Sequence, residues 1–303
     1  MRDMKIYMPF LSLLLLLSGC SGKEGLMRDF DDDMAKNGGD DTDKIQVVVG
    51  TYNLRLQTTA DVGELHWESR RQWVRKIVDD HDFDILGTQE GYMTQIRDVV
   101  EDKDYAYVAV GRDDGVSAGE TCAILYKKDK FAVEAQGTFW FSQTPDIPSS
   151  GWDATIRRIC TWIKFREIES GKIFFVFNAH YDHQGNIARV ESSKLMLEKI
   201  QEIATDFPVM MTGDLNSEPS SEPVTTLIGT KFLWDSKPIT KSPATGPEGT
   251  YYGYNLSTSP NSRIDYVFVS RKVHVLEYKV IEDDFTTGNI ASDHLPVRIK
   301  VQF

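Results

Sequence analysis

Cysteine is scarce: three residues in 303, at positions 20, 122 and 160, and none stands near a histidine at the spacing of a zinc site. No glycine-rich loop of the nucleotide-cradling type occurs. Positive charge is also short. Lysine and arginine total 34 against 46 aspartates and glutamates, a formal net charge of −12. Proteins that grip nucleic acid through its phosphates alone are ordinarily basic, so the chain lacks the footprint of a non-specific duplex binder. Long apolar runs are missing too, apart from "FLSLLLLLSGC" near the start. That run is about ten residues, half of the roughly 20 a membrane-spanning helix needs.

What remains is globular in composition. Hydrophobic residues make up 41% and aromatics 11%, enough for one large core or two smaller ones. Arg2 and Lys5 precede the short apolar run, which suits a signal peptide over residues 1–19. It ends in "LSGC", similar to a bacterial lipobox, so Cys20 is expected to be the lipidated first residue of an envelope protein. Residues 20–43 read as an acidic tether, nearly free of apolar side chains. The first 43 residues hold five of the basic and nine of the acidic side chains, so the body over 44–303 keeps an excess of about eight negative charges. Cys122 and Cys160 lie in strand-like segments; a disulfide is open to them in an oxidising compartment, and free thiols are the preferred reading.

Within the body, strand-like and helix-like runs alternate. "KIQVVVGTYNLR", "FDILGTQE", "TCAILYK", "AVEAQGTFWFS", "IRRICTWIKFRE", "KIFFVFNAHYD", "PVMMTGDLN", "RIDYVFVS", "VHVLEYKVIE" and "LPVRIKVQF" read as strands. "WESRRQWVRKIVDDH" reads as a helix with Trp67, Val74, Ile77 and Val78 on one side. "NIARVESSKLMLEKIQEIA" is a second, with Ile187, Val190, Leu197, Ile200 and Ala204 near helical spacing. Residues 236–262, rich in Ser, Thr, Pro and Gly, form a long loop. Mixed sheets covered by helices follow from this order.

Polar residues punctuate the strand ends: Asn53, Glu90, His180 with Asp182, Asp214 with Asn216, Asp265, and Asp293 with His294. Any one of them could cap a helix or make a turn. Together they offer one chemistry. Oxygen ligands from Asp, Glu and Asn suit Mg²⁺ or Mn²⁺. Two histidines beside them suit proton transfer or oxyanion stabilisation.

The ordered set "TYNLR", "TQE", "NAHYDH", "GDLNSEP", "RIDYVFVS" and "SDHLPV" resembles the endonuclease/exonuclease/phosphatase superfamily over residues 45–303. The resemblance implies a four-layer α/β/β/α sandwich of two mixed sheets flanked by helices, with its active site at one rim. It implies metal-dependent attack of water on a phosphate ester. Glu90 resembles the main metal ligand, with Asn53 and Asp293 in the same cluster. Asp214 and Asn216 resemble the pair that orients water and touches phosphate; alternation along an extended chain lets both face one substrate while Leu215 points to the core. His294 resembles the phosphate-contacting or basic histidine with Asp265 as its partner, and general-base duty falls to Asp214 or His294. His180 resembles the second histidine, oriented by Glu120. Arg158 is expected on the scissile phosphate, and Asp182 either bonds within the substrate site or simply makes a turn.

Loops around Trp67, Arg70 and Arg71 and around Tyr251, Tyr252 and Tyr254 are expected to wall the substrate. The two-histidine pattern looks most like nuclease and deadenylase branches. The acidic body argues for small substrates over duplex DNA: a nucleotide, a short single strand, or a lipid or glycan head group. A phosphatase or phospholipase C-like enzyme, or an inactive surface binding module, are the other readings. A monomer bound to the membrane through Cys20 is expected.

Overall fold

A computed structural model describes residues 44–303; the leader, Cys20 and the acidic tether lie outside the described residues. Twelve strands among them form two six-stranded sheets. The first runs β11 (His274–Val280), β12 (Val297–Gln302), β1 (Gln46–Asn53), β2 (Ile85–Gln89), β4 (Ile124–Lys127), β3 (Tyr105–Val108). The second runs β5 (Phe131–Trp140), β6 (Ile159–Glu167), β7 (Ile173–His180), β8 (Val209–Asp214), β10 (Asp265–Ser270), β9 (Leu233–Asp235). Both are mixed, as expected. Each holds one parallel pair, β1 with β2 and β7 with β8, among antiparallel neighbours. Short strands β3 and β9 and the helix Met93–Val100 were not legible in the sequence.

The two parallel pairs need crossovers, and helices supply them. Helix α1 (Trp67–Asp80) links β1 to β2, and α2 (Met93–Val100) packs beside it. Helix α3 (Asn186–Ala204) links β7 to β8, and α4 (Glu222–Gly229) packs on α3. Val74, Ile77, Val78, Ile96 and Val99 pack with Leu86 and Leu125 to form the outer core of the first sheet. Met196, Leu197, Ile200 and Val224 pack with Phe175, Phe177 and Phe268 to form that of the second. Helix, sheet, sheet, helix is therefore the layer order. On α3 the buried face is not quite the expected one. Ile187 is 58% exposed, whereas Ser192 and Ser193 are buried, with Ser193 donating its hydroxyl proton to Tyr181 Oη at 3.4 Å. The face is set by what it packs against, and the Tyr181 hydroxyl just after β7 suits serine better than leucine.

Between the sheets, alternate side chains run from apolar to polar along each strand. Val47, Val49, Thr51 and Asn53 share a phase on β1; Phe174, Val176, Asn178 and His180 share one on β7; Met210, Thr212 and Asp214 on β8. The valines, Phe174 and Met210 belong to one inter-sheet core. The next layer is a polar network. Gln89 Nε2 donates to Thr51 Oγ1 at 3.0 Å and to Asn178 Oδ1 at 2.7 Å, and Thr212 Oγ1 donates to the same oxygen at 3.0 Å. Asn178 Nδ2 donates to the carbonyls of Thr88 and Ala123 at 2.8 and 2.9 Å. Gly87 makes room for this: a Cβ there would fall 2.2 Å from Thr212 Oγ1. The site residues form the final layer, at the rim. Cys122 and Cys160 are buried free thiols.

Asn178 joins the sheets directly, so truncating it removes four buried hydrogen bonds at once and opens a polar cavity between them. Asn178→Ala is expected to lose about 3 kcal/mol in urea denaturation, more than the typical worth of a single hydrogen bond. A loss below about 1 kcal/mol would show that the network is not what holds the two rims together.

Candidate active site

Parallel pairing places the ends of β1 and β2 side by side, and likewise those of β7 and β8, all at one rim. Antiparallel neighbours bring the start of β10 and the residues before β12 to the same edge, with Asp265 opposite Asp214. Asn53, Glu90, Asp293 and His294 thus come from the first sheet, and Arg158, His180, Asp214, Asn216 and Asp265 from the second. Two of these residues adopt left-handed backbone, Glu90 at φ 65° and Asn216 at φ 46°. For non-glycine residues this costs about 1 kcal/mol or more each, and such outliers cluster at functional sites. At Glu90 the turn redirects a side chain that simple alternation after Gln89 would send toward the helices. Asn216 is likewise placed by its turn rather than by alternation alone, while Leu215 enters the core as expected.

Asn53 closes the seam. Its Nδ2 donates to Glu90 Oε1 and to Asp214 Oδ2, each at 2.9 Å. The Arg55 backbone N–H donates to Asn53 Oδ1 at 2.9 Å and so fixes the amide orientation. Asn53 therefore presents nitrogen, not oxygen, to the carboxylates. It organises the ligand groups rather than adding an oxygen of its own, which corrects its expected role as a ligand. Glu90 Oε2 accepts the Leu56 N–H at 3.1 Å. Glu90, Asp214 and His294 each offer a ligand atom within 4.8 Å of the others. Asp293, close by, keeps a buried Oδ1 without a hydrogen-bond partner. Carboxylates with an unpaired buried oxygen fit a hard divalent cation. His294 fits less well, because its charge state is already spoken for.

That charge state follows from its partners. His294 Nδ1 donates to Asp265 Oδ2 at 2.9 Å, and the same oxygen accepts the Thr250 hydroxyl at 2.6 Å. Burial disfavours a charged ring, but Asp265 and then Asp214 hold His294 well above the ordinary histidine range. Its Nε2 faces Asp214 Oδ2 at 3.8 Å. His180 is the opposite case. Burial, then the Arg158 guanidinium, hold it well below that range, so the ring is neutral. Burial and Asp265 together push Asp214 up to about 7, against the pull of His294.

Glu120 does not orient His180, contrary to expectation. Arg158 Nη1 meets His180 Nδ1 at 2.9 Å, and Glu120 Oε2 instead takes Arg112 Nη1 at 2.5 Å. Because arginine only donates, His180 Nδ1 accepts and the single ring proton sits on Nε2, 3.6 Å from Asp214 Oδ2. Asn216 Nδ2 donates to the Tyr181 carbonyl at 3.1 Å and stands 3.2 Å from that same Nε2, donor beside donor. Of its two readings, Asp182 takes the turn. It is 1% exposed, its Oδ2 accepts the Gln184 and Gly185 N–H groups at 3.1 and 2.6 Å, and its Oδ1 lies 3.6 Å from Arg158 Nε. It makes a turn and steadies Arg158 rather than meeting substrate. Arg158 Nη2 reaches His183 Nδ1 at 3.0 Å.

The expected walls are partly core. Arg70 is fully buried and donates to the carbonyls of Leu54, Arg55, Leu56, Leu65 and Ala291, tying together the loops that follow Asn53 and precede Asp293. Its place at helical spacing between Trp67 and Val74, on the apolar side of α1, is the signal that was available. Trp67 is buried, bonding Asp98, while Arg71 stays half exposed. Tyr252 is buried against Asp284, and Tyr251 alone of the three tyrosines is substantially exposed, its ring 4.9 Å from that of His294. Arg55, overlooked in the sequence, forks onto Asp61 at 3.1 Å through two nitrogens and approaches Asp293 at 4.0 Å. "GVSAG" at residues 115–119 spells a nucleophile-elbow string, but Ser117 sits in an exposed loop between β3 and β4.

Fold and site together define a hydrolase acting on phosphoester bonds: carboxylates, histidines and an arginine gathered at one rim from both sheets. Residues 50–294 match the model of the endonuclease/exonuclease/phosphatase family, and the chain belongs to it. A family member from Bacteroides thetaiotaomicron is 36% identical, with a TM-score of 0.81, over 86% of this chain and 96% of that one. A mannosyl-6-phosphatase of the same species is 37% identical, with a TM-score of 0.79, over 85% of this chain and all of that one. An uncharacterized mimivirus protein, L388, is 28% identical over 77% of this chain and 91% of its own length.

Positive and neutral histidines with separate partners imply separate duties. His294→Ala and His180→Ala are each expected to lower turnover by roughly 10²–10⁴ while the melting temperature stays nearly constant. Near-normal turnover in either variant would remove that ring from the chemistry.

Proposed function

We propose that the protein is a metal-dependent phosphatase for small phosphomonoesters, with a sugar phosphate as substrate. The observation that carries this is the depth of the site: Asp214, His294, Arg158, His180 and Asp293 are all at most 7% exposed, in a body that is net acidic. A small monoester needs only its terminal phosphate to meet these buried groups, whereas a polyanion pays repulsion along its whole length. The likeness to a mannosyl-6-phosphatase supports the sugar.

Glu90 would hold the metal, with Asp293 and Asp214 beside it, and Mg²⁺ or Mn²⁺ suits these oxygens. When bound, such an ion neutralises phosphate oxygens and stabilises the departing alkoxide. Asp214 accepts the proton of the attacking water, since His294 is already charged and has no lone pair to offer. Asn216 and the His180 Nε2–H aim at the phosphoryl oxygens, and Arg158, buffered by His183 and Asp182, balances their charge. The His294 imidazolium stabilises charge that develops in line with attack.

A nucleotide is the second reading, favoured by the exposed Tyr251 ring beside His294, on which a base could stack. The deciding measurement is kcat/KM with Mg²⁺ at about 150 mM salt on a hexose 6-phosphate, a nucleoside monophosphate, single-stranded RNA and plasmid DNA. The hexose phosphate is expected to lead, and efficient plasmid degradation would defeat the proposal. In calorimetry, folded Glu90→Ala is expected to bind Mn²⁺ at least about tenfold more weakly; equal affinity would move the metal elsewhere.

The same reading extends to location. Cys20 in "LSGC" would anchor the enzyme in the bacterial envelope, at the surface where scavenged glycans pass. Cys20→Ser is expected to shift the protein from the membrane to the soluble fraction in a lipidating host; identical partitioning would rule the anchor out.

A further inference from the structure

Arg112 and Glu120, released from duty toward His180, still stand at the edge of the site. Their side chains are 13% and 12% exposed and pair at 2.5 Å. The loop that carries them is held from several directions. Arg112 N donates to the Glu120 carbonyl at 3.0 Å, and Trp140 Nε1 donates to the Arg112 carbonyl at 2.7 Å. Asp114 Oδ1 accepts three successive backbone N–H groups, from Val116, Ser117 and Ala118, at 2.7 to 2.9 Å. Thr121 donates both its N–H and its hydroxyl to the Gly91 carbonyl, at 3.0 and 2.7 Å. Gly91 follows Glu90, so the pair is docked beside the metal-side carboxylate. Glu120 feels the charges of Glu90 and Arg158, and the Tyr92 hydroxyl feels both Glu120 and Arg112.

We propose that Arg112 and Glu120, with Tyr92, form the leaving-group subsite and select a neutral, hydroxyl-bearing leaving group over one that carries a second negative charge. The proposal rests on the phosphatase reading above and sharpens it. A fixed guanidinium donates to sugar oxygens while the carboxylate beside it accepts their O–H protons, so adjacent hydroxyls meet both partners at once. An anionic leaving group meets Glu120 first. Asp113 and Asp114 lie on the same loop, and the half-exposed Arg157 beside it is engaged with Asp113 at 3.7 Å, while Arg158 is held by His180, His183 and Asp182. One arginine already paired with a carboxylate is a poor receptor for a second phosphate. Burial lifts the Glu120 carboxyl to about 7 even against Arg112, so its repulsion of a second negative charge strengthens as the pH rises through that value.

The test compares kcat/KM for a hexose 6-phosphate, p-nitrophenyl phosphate and a hexose 1,6-bisphosphate, which share the phosphoryl group and differ in what leaves. Wild type is expected to rank the hexose monophosphate above the bisphosphate. In Glu120→Gln the preference for the hexose monophosphate over the aryl ester should fall about tenfold, carried by KM, and discrimination against the bisphosphate should relax. Tyr92→Leu, which leaves the ion pair intact, should raise KM for the hexose phosphate and keep the discrimination against the bisphosphate; it serves as the readout if Glu120→Gln does not fold. Equal changes on all three substrates, or unmoved selectivity in both variants, would overturn the subsite. A wild type that ignores hexose phosphates yet cleaves nucleotides would instead defeat the sugar-phosphatase reading itself.

Discussion

One amide holds the site together across its seam. Asn53, at the end of a strand in the first sheet, donates one hydrogen bond to Glu90 of its own sheet and one to Asp214 of the other. Two carboxylates brought this close repel, and burial worsens the repulsion by removing water. A neutral donor between them offsets part of that cost and fixes their separation. The bridge works only if the two sheets reach the rim in a single register. The Gln89, Asn178 and Thr212 network lies one layer below and joins the sheets at that register. Gly87 permits the close approach, and Arg70 ties the two loops above to one guanidinium. Catalytic geometry here is a consequence of how the sheets are bolted.

Charge is arranged by the same logic. Glu90, Asp214 and Asp293 cluster near the bridging amide, and Arg158, His180 and His183 form a linked group next to Asp214. Two histidines a few ångströms from one aspartate carry different charges, because one is backed by a carboxylate and the other by a guanidinium. A phosphoryl group set between them meets a charged donor and neutral donors in fixed positions. The net negative body then filters what can arrive, since a short ester suffers far less repulsion than a long polyanion.

Much of this was legible in the chain. Strand-end polar residues at Asn53, Glu90, His180, Asp214, Asp265 and Asp293–His294 all reach one rim, and the His294–Asp265 pair has its expected geometry. The errors share a cause. Glu120 and the oxygen of Asn53 were assigned partners across the site, Asp182 was left between substrate and turn, and a partner across the site is a tertiary fact. Arg112 took Glu120, two backbone N–H groups took Asp182, and the Arg55 N–H took the Asn53 oxygen. Arg70 was taken for a wall residue because arginine is usually exposed; its position on the apolar side of a helix was the contrary sign.

The sequence by itself determined which residues end each strand, since alternation and apolar run length are local properties of a pleated chain. It also determined the layer order, because two parallel strand pairs require covering crossovers. Tertiary structure alone decided which side chains pair at the rim. Hydrogen-bond partners there come from distant segments, Asn53 and Asp214 being 161 residues apart, and their choice depends on ångström-scale register between two sheets. Backbone turns at Glu90 and Asn216 belong to the same class: their left-handed conformations oppose local preference and persist only because the packed surroundings impose them.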